Sequence, residues 1–256
     1  MATSNHAYDY TNFSLITTFA YLPSTACDAD PLAELDRHVE RLETARQTLA
    51  RGLPDSWCTS SAPVDRTRIR EAIVKTVQDA QENGLSASLR VRISVPSSGQ
   101  PFGQSFPLAP MPDYPVKLVL DSTSTEYADD PFMRAKTTNR QKYDDARSRR
   151  GATLHPSNDP SSPPFDVVLF NPSNEVTETS ISNIAFKFSL DEDVWITPTS
   201  DSGLLEGTKR AELLESGEIR AAKVTVEQIR SAVQNGTLQV ICFNAVRGVF
   251  PAFIEL

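Results

Sequence analysis

Residues Phe13 to Ala20 read FSLITTFA, a β-branched and aromatic run that predicts a strand. Asp30-Pro31 then offers an N-cap and a first-turn proline. Leu35, Val39, Leu42 and Leu49 follow at three- and four-residue steps or their multiples, predicting an amphipathic helix to about Gly52. His38 and Arg41 fall one turn apart on it. Residues 54–64 read as a loop. Asp65 opens a second helix, with Ile69, Ile73 and Val77 on one face and Gly84 as its stop. Leu89 to Val95 alternates, with Leu89, Val91, Ile93 and Val95 on one side and Arg90, Arg92 and Ser94 on the other. The arginines either face water, the reading favoured by how common such faces are, or point into a carboxylate-binding cleft.

From residue 96 to 115 (PSSGQPFGQSFPLAPMPDYP) no period survives. This Pro/Gly/Ser-rich stretch reads as a domain boundary, giving one unit over 1–105, a linker over 106–112 and a second unit over 113–256. Val116 to Leu120 predicts a strand, residues 121–133 a loop, and the charged segment Thr137 to Arg149 a helix with Lys136 at its head. After a Pro/Ser loop over 155–164, Asp166 to Phe170 predicts a strand and Asn171-Pro172-Ser173-Asn174 a turn. Ile184 to Leu190 and Val194 to Thr197 predict a hairpin about Asp191-Glu192-Asp193. Gly207 to Leu214 begins a helix, Ile219 to Val224 is a strand, and Val226 to Val233 is a short helix ended by Asn235-Gly236. Leu238 to Phe243 and Val249 to Ile254 are the last strands. Hairpins and unevenly spaced helices predict an α+β fold.

The 25 Lys+Arg and 33 Asp+Glu leave a net charge of −8, which argues against nucleic acid or an anionic membrane as the main partner. Cys27, Cys58 and Cys242, and His6, His38 and His155, are scattered without metal-ligand spacing, so no metal is expected. Widely spaced, odd-numbered cysteines suit a reducing compartment. No apolar run approaches the ~20 residues of a membrane span, and Met1 to Tyr10 lacks a signal-peptide core. A cytoplasmic protein acting on a small molecule is expected.

Four places carry candidate chemistry. Lys136, in Arg134-Ala135-Lys136-Thr137-Thr138-Asn139-Arg140, offers an amine. Glu178 offers a carboxylate, with Glu175 as its neighbouring competitor. Gly207-Thr208-Lys209 opens a helix whose N–H groups can cup an anion. Arg41 can clamp a phosphate. Together these are what a phosphate-bearing carbonyl cofactor, such as pyridoxal 5'-phosphate, requires.

Their order along the chain resembles the fold-type IV, or class IV aminotransferase-like, pyridoxal-phosphate enzymes. These include branched-chain and D-amino acid aminotransferases and 4-amino-4-deoxychorismate lyase. The matching pieces are His38-Val39-Glu40-Arg41-Leu42, Lys136-Thr137-Thr138-Asn139-Arg140, Val176-Thr177-Glu178 with Ser182-Asn183-Ile184, Thr197-Pro198, Gly203-Leu204-Leu205-Glu206-Gly207-Thr208, and Asn244-Ala245 leading to Pro251. The resemblance implies a two-domain fold, an N-terminal α/β sandwich and a C-terminal α/β barrel-like domain, with the cofactor between them in a homodimer. It makes Arg41 the phosphate clamp, Lys136 the catalytic Schiff-base lysine and Glu178 the partner of the pyridine nitrogen, with Asn183 at family spacing from it. It also makes Gly207, Thr208 and Lys209 the phosphate cup and puts Ala245 beside the phosphate. Thr18, Arg92 and Arg247 are substrate candidates, Tyr143 is read as core packing, and His38 as ordering its helix. Asn139-Arg140-Gln141, without a tyrosine, and Asn244-Ala245-Val246-Arg247-Gly248-Val249-Phe250-Pro251 resemble the lyase, fungal sequences above all. The implied activity is elimination of pyruvate to give 4-aminobenzoate, in folate biosynthesis. A class IV aminotransferase is the alternative. Lys209 stands in the cup in place of the hydroxyl residue usual in the family. Ala20, where a basic residue is common, and the short lead before the first helix motivate a third reading, a non-catalytic member of the fold.

Overall fold

The computed structural model describes residues 12–23, 34–85, 88–127, 130–189 and 193–256. The expected N-cap at Asp30-Pro31 and the hairpin residues Asp191-Glu192 lie outside them.

Strands β1 (Leu15–Tyr21), β2 (Leu89–Val95) and β3 (Phe102–Pro107) form an antiparallel sheet in that order. Helices α1 (Leu35–Gly52) and α3 (Arg66–Glu82) cover one face, and α2 (Trp57–Ser60) is a single turn between them. One core joins Leu42, Leu49, Ile69 and Ile73 of the helices to Leu15, Leu89, Val91 and Ile93 of the sheet. The period-2 pattern of β2 is thus the helix-facing side of the sheet. Asp65 caps α3 by accepting from the Thr67 and Arg68 N–H groups.

The second sheet holds eight strands in the order β6 (Val176–Thr179), β5 (Asp166–Phe170), β4 (Val116–Leu120), β11 (Gly248–Glu255), β10 (Gln239–Asn244), β7 (Asn183–Lys187), β8 (Trp195–Pro198) and β9 (Ile219–Ala222). Its ends curl together. The Val176 N–H donates to Val224 O at 2.7 Å, just past β9, and the Val226 N–H donates to Asn174 O at 2.9 Å, just before β6. The result is the expected barrel-like wall. Helices α4 (Gln141–Arg150), α5 (Thr208–Glu215) and α6 (Val226–Gln234) pack on it through Tyr143 and Ala146, Leu213, and Ile229. A capping box at Thr225 and Gln228 starts α6. Among the described residues no helix is long and apolar enough to cross a membrane.

Several elements differ from the sequence-based expectation. The stretch read as aperiodic contains β3, an edge strand whose two phenylalanines, Phe102 and Phe106, both stay exposed. It needs Gly103, because a Cβ there would come within 1.8 Å of Thr76 Oγ1 on α3. The predicted helix over Thr137–Arg149 begins only at Gln141. Thr137 Oγ1 donates to Asn139 O and accepts from the Asn139 N–H, a local turn that competes with helix formation. The α2 turn falls inside the loop predicted over 54–64, and strand β6 in a stretch with no predicted element. Both are four residues long, too short to show a period.

The outer edge of β1 places the candidate lysine. The Ile16 N–H donates to Lys136 O at 2.9 Å, and the Thr138 N–H donates to Ser14 O at 3.0 Å. Further along, the Ala20 N–H donates to Ala245 O at 2.9 Å. The small sheet is therefore hydrogen-bonded through its main chain to two segments of the barrel side. On the surface Arg37 of α1 forms a bidentate pair with Glu215 of α5, at 2.8 and 2.6 Å.

Candidate active site

A cavity of about 260 Å³ opens between the small sheet and the barrel wall. Among the described residues, Arg41, Arg90, Arg92, Lys136, Arg140 and Arg247 line it, against the single carboxylate of Glu178. Such an excess of fixed positive charge in a concave site draws anions.

Lys136 reaches the cavity from the segment bonded to β1, and part of its surface stays open to it. Burial, then the charges of Arg140 and Arg41, hold its amine well below the ordinary lysine range, with Glu178 opposing. A lysine so placed is a nucleophile or a base when deprotonated.

Glu178 projects from β6, whose residues are all buried. Its Oε1 accepts from the Tyr143 hydroxyl at 2.8 Å and from the Leu205 N–H at 3.1 Å. Burial pushes its carboxyl up to about 8, although both hydrogen bonds and the nearby Lys136 and Arg140 favour the ionised form. Glu175, the competitor, turns away to pair with Lys223 at 2.6 Å.

The start of α5 lies across the cavity. Asn183 Oδ1 accepts from the Gly207 N–H at 3.2 Å, and its Nδ2 donates to Leu205 O at 2.8 Å, fixing the approach to the helix. A Cβ at 207 would come within 2.3 Å of Asn183 Oδ1, so any other residue there must push that amide aside. No side chain caps α5. Asn244 shapes the β10–β11 turn, its Oδ1 accepting from the Val246 and Arg247 N–H groups at 2.9 and 2.8 Å. That turn presents Ala245 and Arg247 to the cavity.

The structure therefore brings Thr18, Arg41, Arg92, Lys136, Glu178, Asn183, Gly207, Thr208, Ala245 and Arg247 to one cavity. Lys209 is not among them. It faces a neighbouring groove and pairs with Glu212 at 2.6 Å. Arg90 and Arg92 line the cavity rather than a fully solvated face. Arg90 sits over the Phe106 ring at 4.6 Å, while Arg92 has a buried Nε without a hydrogen-bond partner. Tyr143 belongs to the core as expected, yet its hydroxyl also holds Glu178. Arg140, which lay outside the candidate set, stacks over the Tyr143 ring at 4.7 Å and donates to Ser180 O at 2.5 Å. The three-residue spacing from Arg140 to Tyr143 at a helix start was the available signal. Among the described residues no cluster of His, Cys, Asp and Glu could hold a metal.

The sequence pattern described as Amino-transferase class IV matches residues 25–252. The chain belongs to this class IV aminotransferase family. A Schizosaccharomyces pombe protein named "Putative aminodeoxychorismate lyase" is 29% identical over 215 residues, covering 84% of this chain and 81% of its own. The crystal structure of a "Putative amino-acid aminotransferase" from Mesorhizobium loti superposes with a TM-score of 0.73 at 27% identity, covering 95% of this chain and all of that one. The 4-amino-4-deoxychorismate lyase of Pseudomonas aeruginosa shares the fold at a TM-score of 0.60 and 20% identity, covering 94% of this chain and 82% of that one. The fold-type IV expectation is met by these likenesses.

Proposed function

We propose that the cavity binds pyridoxal 5'-phosphate and that the protein is a 4-amino-4-deoxychorismate lyase, releasing pyruvate and leaving 4-aminobenzoate. The observation that carries this reading is the meeting of Lys136 and the buried, Tyr143-bonded Glu178 in one cation-lined cavity. The donors present fit the cofactor. Arg41 keeps a buried, unpartnered Nε, and the uncapped α5 start supplies N–H groups for a phosphate.

Bound there, the cofactor would supply a carbonyl for an amine and a ring that accepts an electron pair. Lys136 would hold the cofactor through its Nζ and, once displaced by the substrate amine, take the ring C–H proton of the substrate. Burial and the neighbouring arginines lower its basicity, which favours the unprotonated amine that this role needs. Glu178 would face the ring nitrogen, with Tyr143 and the Leu205 N–H fixing its oxygen. As the C–O bond to the leaving group breaks, the substrate ring becomes aromatic, which favours elimination. Arg92 and Arg247 would take the substrate's carboxylates, and Thr18 would line the same wall.

The test is reconstitution with pyridoxal 5'-phosphate, borohydride reduction and mass spectrometry of the Lys136 peptide, alongside assay of pyruvate and 4-aminobenzoate. Absence of a label on Lys136 would sink the cofactor assignment. A labelled enzyme that exchanges amino groups without releasing pyruvate would make it an aminotransferase, the second reading, which the Mesorhizobium loti likeness favours. The proposal extends to a cytoplasmic homodimer built from units over 1–105 and 113–256, measurable by sedimentation and by limited proteolysis within 106–112.

A further inference from the structure

A guanidinium on a flexible stem must be held in place if it is to face a ligand oxygen. Arg41 leaves α1 towards the cavity, and its NH2 group donates to Thr17 Oγ1 at 2.5 Å. Thr17 is fully buried on β1. The same hydroxyl lies 2.7 Å from His38 Nδ1, and His38 is buried one turn before Arg41, against the Phe19 ring.

Arginine only donates, so the Thr17 oxygen accepts from Arg41. The hydroxyl keeps a second lone pair and its own proton, so it meets His38 Nδ1 as donor or as acceptor according to the imidazole tautomer. Either way one hydroxyl ties the guanidinium to the imidazole. Burial, reinforced by the charges of Arg41 and Lys136, lowers His38 to about 3, so the imidazole stays neutral at any working pH and adds no charge beside Arg41. Main-chain bonds from Ile16 and Ala20, on either side of Thr17, fix β1 to the Lys136 and Ala245 segments.

We propose that Thr17 and His38 are positioning residues that aim Arg41 at the phosphate of a bound ligand, so that preference for a phosphorylated ligand depends on the Thr17 hydroxyl. This rests on the phosphate reading of Arg41 given above. Valine at 17 would keep the shape but leave the Arg41 NH2 group and His38 Nδ1 without their partner. Serine would keep the hydroxyl.

The experiment compares the affinities of the cofactor-free protein for pyridoxal 5'-phosphate and for pyridoxal, which lacks the phosphate. For Thr17→Val the expected result is a loss of about 10-fold or more in affinity for the phosphorylated form, as for a charge-assisted hydrogen bond. Affinity for pyridoxal should change by less than about 2-fold, and Thr17→Ser should keep the wild-type preference. Equal losses for both ligands, or an unchanged preference in Thr17→Val, would overturn the proposal. Should Thr17→Val fail to fold, His38→Leu removes the other partner of the Thr17 hydroxyl and must narrow the preference in the same way, or the proposal fails. A wild-type protein that binds both ligands alike would refute the phosphate reading itself, and the positioning role with it.

Discussion

Replacing Glu178 with glutamine removes a charge that the folded protein holds at a cost. The carboxyl titrates at about 8 in the fold, against 4.5 for a free glutamate. The folded state therefore keeps a proton that the unfolded chain releases between those two values, and stability falls as pH rises through the interval. At about 1.4 kcal/mol per pH unit, the full penalty in alkaline buffer is about 5 kcal/mol, of which about 3 kcal/mol is present at pH 7. Glutamine keeps an oxygen to accept from Tyr143 and the Leu205 N–H. Whatever its amide group costs does not vary with pH. The assay is urea unfolding of cofactor-free wild type and Glu178→Gln from pH 5 to pH 9, at fixed protein concentration. The difference between the two should grow in favour of glutamine by a few kcal/mol across that range. Lys136 is coupled to Glu178, and the same comparison in a Lys136→Met background removes that coupling. Parallel pH profiles would refute the reasoning, because they would mean that Glu178 is ionised without penalty.

Three further outcomes follow from the same geometry. Arg92→Leu should raise KM for a dicarboxylate substrate about 10- to 100-fold, the worth of one charge-assisted bond, with cofactor affinity unchanged in a spectroscopic titration. Gly207→Ala should weaken phosphate binding and lower stability by about 1–3 kcal/mol, as the new methyl group pushes Asn183 aside; denaturant titration and inorganic phosphate competition measure both. Gly103→Ala should cost about 1–3 kcal/mol in thermal or urea unfolding through its clash with Thr76, while leaving cofactor affinity intact.

The elements legible in the sequence were those long enough to show a period. Helices α1 and α3 and strand β2 are of this kind, with buried positions spaced as expected. Strand β3 was hidden because an edge strand with Gly103 at its contact with α3 carries no apolar alternation. Lys136, Glu178 and Gly207 were found through their order along the chain, since each is unremarkable alone. Their mutual arrangement was not readable, because Tyr143 reaches Glu178 across 35 residues and Arg41 reaches Thr17 across 24. Lys209 shows the limit of position-by-position transfer. It adjoins the helix start, but its long stem lets it turn to Glu212, one helical turn on.

The outer edge of β1 grips the Lys136 and Ala245 segments through N–H and C=O groups, with one side-chain addition where Thr138 Oγ1 accepts from the Ser14 N–H. A hydrogen bond from the backbone is indifferent to which side chain hangs beside it, so this join can survive long sequence divergence. Alanine at position 20 keeps its N–H and so keeps the join. Proline, which lacks that hydrogen, is the one natural residue that cannot make the bond at position 16 or 20. Substrate preference can thus drift along β1, residue by residue, without loosening the frame that holds the lysine.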